Sequence, residues 1–487
     1  MAVVCRFPDK EGLLQERFFD LIHVKNTKAL TLKEELSALL SNNGFDVQNL
    51  RGQGYDGASN MKSEFNGLQA LFLKDCLYAY YVHCYAHRLQ LALVAVARDV
   101  VPISKFFQKL LYIINIVDSS SKRHDAQVVE IARLLAIDQI ETSKGGNQIK
   151  ALKRPGDTRW GSRLGSISSL MDMFNAVSST LQTIASDASD GTHRADADTA
   201  YNYLIDFEFV FGLCMMREIL EISEELGKAL QKKRQGIVNA IHLLSSTKAL
   251  LVKLRSDNGW DDFFTTIVEF CMDHGIEIPD MDEPYWGHAR RQADNFTKEH
   301  YFRAEIFRAT LNSQLNELNL KFNEKVMGLL SVSVTLIPKN RFACFNAKDI
   351  CKMVEKFYLA DFTHQELIAL ERQLNHFASD ASNNEDLKKP TTLIALCRCL
   401  FVTGRYRIYN MVDRLIRFLI TLPVSTTSVE CAFSSLKIIK TRLHNTMEDE
   451  YLANSLLIQV ERELATKFNF EDIIADFKDR KKRRANL

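Results

Sequence analysis

The sequence predicts an α+β protein that is predominantly helical, and three observations carry that expectation. Only eight prolines interrupt 487 residues, so little breaks helix formation. Long runs repeat their apolar residues with a period near four, the mark of helices with one buried face. Strand signals are confined to the first ninety residues, where they alternate with helical ones.

Within those ninety residues, MAVVCRF at the start reads as a strand, PDKEG as a turn, and LLQERFFDLIHV as a second strand with partial alternation. Thr27 to Leu40 is an amphipathic helix that opens on a threonine and closes near Asn43 and Gly44. Leu50 to Tyr55 is a short strand running into Asp56 and Gly57. Gly67 to Leu73 is helical, and Ala79 to Cys84 is a further apolar, aromatic strand. Arg88 to Asp118 is helical again.

Beyond it, Glu141 to Asp157 reads as loop, and Ser166 to Ala378 is rich in helix. Inside that span the polar run Ser186 to Asp198 is expected to be a loop or crossover. Asp380 to Pro390 is a break, and Thr391 to Phe477 returns to apolar helices. So small a sheet against so many helices implies that the carboxy-terminal helices pack back on it. The expected divisions are 1–165, a helical insertion 166–390, a returning part 391–477, and a tail 478–487.

Hydrophobic residues at 46% and charged residues at 25% are ordinary for a globular protein, and a net charge of +1 excludes a globally basic surface. Any nucleic-acid surface must therefore be local. Ten scattered cysteines, many in apolar segments, fit reduced thiols in an intracellular protein better than a disulfide framework. Arg6 and Asp9 end the first apolar run too early for a signal peptide. No segment reaches the roughly 18 apolar residues of a membrane span, so a membrane partner is not expected.

Five constellations are candidates for chemistry. Glu430 is the only charged residue from Thr421 to Leu436, after an apolar stretch from Leu415 to Leu422 broken only by Arg417 and Thr421. A buried carboxylate needs a partner or a metal. RGQGYDGASNM, Arg51 to Met61, projects Asp56 from the end of a strand, as metal and phosphate sites do, although Asp-Gly also marks a plain turn. His83, Cys84 and His87 include the Cys-x-x-His half of a zinc site. No second pair lies nearby, so a strand-to-helix junction satisfying local hydrogen bonds is the better reading. Arg159 and Arg163 flank Trp160 in DTRWGSR, which suits phosphate contact with base stacking. The competing reading is a helix start with Trp160 in the core. The tail KDRKKRR, with Lys481 and Arg483, reads as a solvated helix end or as a nuclear-import or phosphate-binding cluster.

Taken in order, RGQGYDGASNM, HCYAHRLQLAL, DTRWGSR and LPVSTTSVECAFSSLKIIKTRLHNTM resemble successive signatures of the hAT transposase superfamily, in the group with MYM-type or TTF-type zinc fingers. HYFRAEIFRATLNSQLNELNLKF, His300 to Phe322, is similar to the same group. The resemblance runs from about residue 2 to about residue 477. It implies an RNase H-like fold split by a large all-helical insertion, with two aspartates and a glutamate holding two divalent metals, Mg2+ or Mn2+, for phosphodiester displacement. By position Asp56 matches the second aspartate and Glu430 the glutamate.

The strand that carries the first aspartate has no counterpart, since the opening MAVVCRFPDKEG matches the second strand and its turn. Asp9 and Asp20 do not replace it. The resemblance therefore implies a catalytically inactive protein with no certain cofactor and no small-molecule substrate. It would act in the nucleus by homodimerising, or by pairing with related hAT-derived proteins, and by binding DNA. The alternative is an active transposase whose first catalytic strand is lost from this gene model. Trp260 and Trp286, in the insertion, are expected in the core.

Overall fold

The computed structural model describes residues 1–118, 152–154, 160–187, 191–232, 237–286, 296–322, 335–337, 345–441 and 446–479. Helices dominate, with four strands among the described residues: β1 (Ala2–Pro8), β2 (Leu14–Leu21), β3 (Gly52–Tyr55) and β4 (Tyr80–His83). The chain divides into two compact units. The first holds Met1–His87, Ala229–Ile241 and Glu324–Leu487; the second holds Arg88–Lys228 and His242–Asn323.

In the first unit β1 and β2 form an antiparallel hairpin with an irregularity between Val3 and Val4, and β3 and β4 form a parallel pair. Helices cover each pair. Against the hairpin, Phe18 of β2 packs with Ala432 and Leu456, joined by Ala2, Val4, Leu436 and Val460. Beside β3, Leu32, Leu68 and Phe72 gather Met1, Leu36, Leu50 and Tyr55 around them. Packing apolar side chains against these helices is what makes strands this short persist.

The single small sheet expected from the sequence is, among the described residues, two separate two-stranded sheets. Nothing among those residues pairs β1 with β3, so each pair depends on its covering helices. The Asn410–Thr421 helix supplies much of that cover, burying Val412, Leu415, Ile416, Leu419 and Ile420 on one face.

The second unit is helical. Its core is aromatic: Phe211 contacts Phe263 and Phe302 at 5.5 and 5.0 Å between centroids, and Trp260 meets Phe307 at 5.3 Å. These ring pairs adopt edge-on and tilted geometries that suit their quadrupoles. Trp260 is in the core as expected, but Trp286 is exposed. The polar run expected as a loop at 186–198 is largely helix, Gly191–Leu204, because Ala197, Ala200 and Leu204 fall on one face and are fully buried. That helix packs against Val101–Asp118 and Phe174–Asp187. Val101–Asp118 therefore belongs with the helical unit, whose first stretch is Arg88–Lys228. Ala347–Phe357 packs on His364–Asn383, which packs on Asn410–Thr421, all within the first unit.

No single helix among the described residues is long and apolar enough to cross a membrane. Nine described cysteines are free thiols. Cys397 is fully buried, and loss of solvation pushes its thiol up to about 12.

Arg6 and Glu16 face each other across the hairpin as an ion pair with side chains only 8% and 10% exposed. Burial pulls the Arg6 guanidinium below its usual pKa despite the adjacent carboxylate. Removing one partner strands the other charge, so Arg6→Met is expected to cost roughly 3 kcal/mol in urea unfolding, with Glu16→Leu added to it recovering part of the loss.

Candidate functional site

The site forms where β3, β4 and one turn of the carboxy-terminal helices converge. Gly52 and Gly54 alternate along β3 on the face met by Pro423. A Cβ on Gly54 would lie 2.8 Å from Pro423 Cβ, and one on Gly52 would lie 3.0 Å from its Cδ. Only glycine permits that approach. Backbone bonds then fix the register: Cys84 N–H donates to Tyr55 O at 3.0 Å, and Tyr85 N–H donates to Val424 O at 2.9 Å. Thr426 N–H donates to Cys84 Sγ at 3.3 Å. The end of β3, the end of β4 and the start of the Thr427–Ile439 helix are thus tied at one corner.

Behind that corner, Arg51 donates to both carboxylate oxygens of Asp361 at 2.7 and 2.6 Å, holding the start of β3. Tyr80 O–H donates to Phe357 O at 2.8 Å, and burial pushes its phenol up to about 12. These bonds make the two strands a rigid floor.

Asp56 follows β3 directly and is exposed. Its carboxylate accepts Ala58 N–H at 3.2 Å, and its carbonyl accepts Tyr81 O–H at 3.2 Å. Its side chain therefore closes a turn rather than capping the Ser59–Lys62 helix, whose cap position is Ala58. Gly57 sits against the imidazoles: a Cβ there would lie 2.9 Å from His83 and 3.4 Å from His87. The His83 and His87 rings are 5.5 Å apart. His83 and Cys84 are buried at the strand-to-helix junction.

Glu430 lies in the first turn of the Thr427–Ile439 helix, where a carboxylate interacts favourably with the helix dipole. It is exposed and accepts the Thr426 hydroxyl at 3.2 Å. The sequence suggested an acid among buried groups, and the structure corrects that. The apolar lead-in belongs to the preceding helix. Within the Thr427–Ile439 helix that follows the turn at Pro423, only Thr427 and Ala432 are buried, and the acid faces outward.

Asp56, His83, Cys84, His87 and Glu430 therefore belong to one connected corner of the first unit. Among the described residues no group of three or more His, Cys, Asp or Glu is arranged to hold a metal ion. Such a donor set does not fit a two-metal clamp. Arg163 belongs to the second unit, with its guanidinium 4.4 Å from the Phe107 ring centroid. Trp160 opens the Trp160–Asp172 helix. Arg159, Lys481 and Arg483 lie outside the described residues.

Sequence reasoning missed three contributors. Pro423 is the lid over β3, which the Gly-x-Gly spacing could have signalled. Glu16 accepts Ser428 Oγ at 2.6 Å, and Thr427 Oγ1 donates to Leu230 O at 3.4 Å, which together fasten the start of the acid's helix. Neither long-range bond leaves a local trace in the sequence.

Gly54→Ala is expected to lower stability by about 1–3 kcal/mol in chemical denaturation, because Pro423 must move. Asp56→Asn and Glu430→Gln are expected to stay within about 0.5 kcal/mol of the parent in the same measurement, because both groups are exposed and held only by local bonds.

Two comparisons bear on this geometry. Residues 1–67 match the family DUF4371, described as the ZMYM1/FAM200, RNase-like domain. The human protein named "52 kDa repressor of the inhibitor of the protein kinase" is 19% identical over 468 residues, covering 94% of this chain and 59% of its own length. Its mouse counterpart is 21% identical over 481 residues, covering 94% and 60%. The chain thus spans about three fifths of the curated relatives it matches. It is similar to an RNase-like domain family where the hairpin and β3 lie, and along nearly all its length to human and mouse repressor proteins.

Proposed function

We propose that this chain is a transposase-derived protein of the hAT type that no longer cuts or joins DNA. It acts in the nucleus by pairing with a second copy, or with a related protein, and by contacting nucleic acid. Its core would be an RNase H-like fold split by the helical unit. The likeness to an RNase-like domain and to proteins named as repressors supports that descent. The carboxylates of Asp56 and Glu430 engage local turn and helix-start bonds, which suits a remnant of a metal site better than a working one. Mg2+ or Mn2+ would bind there only weakly, through two acids.

One observation carries the pairing. The Phe470–Asp479 helix sets Phe470, Ile473, Ile474 and Phe477 along one face, and it buries none of its residues. Phe470 is 75% exposed, and Tyr451 and Ile458 on the Asp449–Val460 helix and Phe468 in the bend before Phe470 are exposed too. An exposed apolar face of this kind marks an interaction surface. The nucleic-acid contact is assigned to Arg159, Trp160 and Arg163 and to the tail residues Lys481 and Arg483, as basic and aromatic groups in a chain with little net charge.

Light scattering after size exclusion is expected to give a dimer at micromolar concentration, and Phe470→Asp with Ile474→Asp is expected to give a monomer. A strictly monomeric parent chain would remove the pairing. Incubation with supercoiled DNA and Mn2+ is expected to leave the DNA intact. Nicking abolished by Glu430→Gln would instead establish the active alternative.

A further inference from the structure

From Thr466 to Asp479 every residue is exposed, so the Phe470–Asp479 helix and the residues leading into it stand off the first unit as an arm. Phe470, Ile473, Ile474 and Phe477 recur at helical spacing on one face of that arm. Glu471 and Asp472 lie in its first turn and Lys478 in its last. A helix this short is marginal by itself in water, so its apolar face needs a surface to cover it.

The helix that carries Glu430 leaves such a surface open. Ala432, on its inner side, packs on Phe18 and Leu456. On the opposite side Glu430, Phe433, Ser434, Lys437 and Ile438 are exposed, Phe433 at 45% and Ile438 at 66%. Lys437 and the exposed Lys440 pair with no carboxylate among the described residues. The face thus shows two large apolar side chains beside two lysines that lack acidic partners.

Arm and face are complementary in charge and in spacing. Glu430 lies in the first turn of its helix and Lys437 in the last, as Glu471 and Lys478 do in the arm. In both helices acid and base are seven residues apart, two turns or about 10.5 Å along the axis. Laid antiparallel, the two helices bring Glu430 to Lys478 and Lys437 to Glu471 together. The parallel direction would set acid on acid and lysine on lysine, which the charges oppose. In the antiparallel register Ile438 comes level with Phe470, and Phe433 falls between Ile474 and Phe477. Apolar side chains then fill the space between the two ion pairs, and the small Ser434 leaves room for Ile474.

We infer that the outward face of the Glu430 helix receives the Phe470–Asp479 helix of a second copy, and that pairing thereby covers Glu430 and holds it against Lys478 of that copy. Each copy carries one arm and one such face, so a two-fold axis makes the contact twice and closes the assembly at two. The inference rests on the pairing proposed above and adds a consequence for the site. A divalent metal has to compete with an ammonium group for Glu430, so pairing and metal binding at that acid oppose each other.

The test uses the full chain and two charge-reversed variants, Lys437→Glu with Lys440→Glu and Glu471→Lys with Asp472→Lys. Sedimentation equilibrium reads the pairing, and carbodiimide labelling of carboxyl groups followed by mass spectrometry reads the exposure of Glu430. The parent is expected to be a dimer in which Glu430 is labelled slowly, and faster on dilution. Each variant alone is expected to dissociate at least about tenfold more readily and to label Glu430 at the rate of the monomer. An equal mixture of the two is expected to regain the dimer and the slow labelling, because both contacts then join opposite charges. A parent that stays monomeric removes the pairing itself, and this inference with it. A dimeric parent whose Lys437→Glu, Lys440→Glu variant pairs equally well overturns the inference alone, as does a mixture that stays monomeric. Slow labelling of Glu430 that dilution does not change also overturns it, since the chain's own arm then lies on the face.

Discussion

The buried pair of Arg6 and Glu16 is the interaction on which the first unit depends. Arg6 reaches past Glu16 to the carbonyl of Ile420, and Glu16 takes the hydroxyl of Ser428 with its second oxygen. One pair of charges therefore binds both strands of the hairpin to the end of one helix and the start of the next. Desolvating two charges is costly, and the cost is offset only because every arm of the pair finds a partner. Without that fastening the hairpin has no neighbour strand among the described residues to hold it, and the helix bearing Glu430 loses its inner anchor.

The second constraint is steric. Pro423 presses onto β3 where two glycines leave no side chain, and the backbone bonds of Tyr85 and Thr426 lock the turn in place. Asp56 and Glu430 are carried to one corner by these contacts rather than by any attraction between them. The consequence is a rigid scaffold whose acids stay at the surface, each bonded within its own turn. Stability and any site chemistry are thereby separable, since the ties that build the corner use neither carboxylate.

The helical unit follows a different logic, a core of interlocking rings around Phe211, Phe263, Phe302 and Trp260. Apolar periodicity made these helices legible in advance. It misled only where small residues did the packing: Ala197 and Ala200 look unremarkable in a polar run, yet they let the Gly191–Leu204 helix approach its neighbours closely. Trp286 shows the converse, a large apolar residue that no amount of local pattern places outside the core.

Local sequence alone determined the strand and helix alternation of the first ninety residues, the mostly helical remainder, and the turn at Asp56 and Gly57. Those features arise from backbone propensity and from the spacing of apolar residues, which act over a few positions. Tertiary structure decided that the four described strands form two sheets, that Val101–Asp118 packs with the helical unit, and that Glu430 faces outward. Each of those outcomes depends on partners far apart in the chain, such as Arg6 with Ile420 or Cys84 with Thr426, and no local pattern encodes such a meeting.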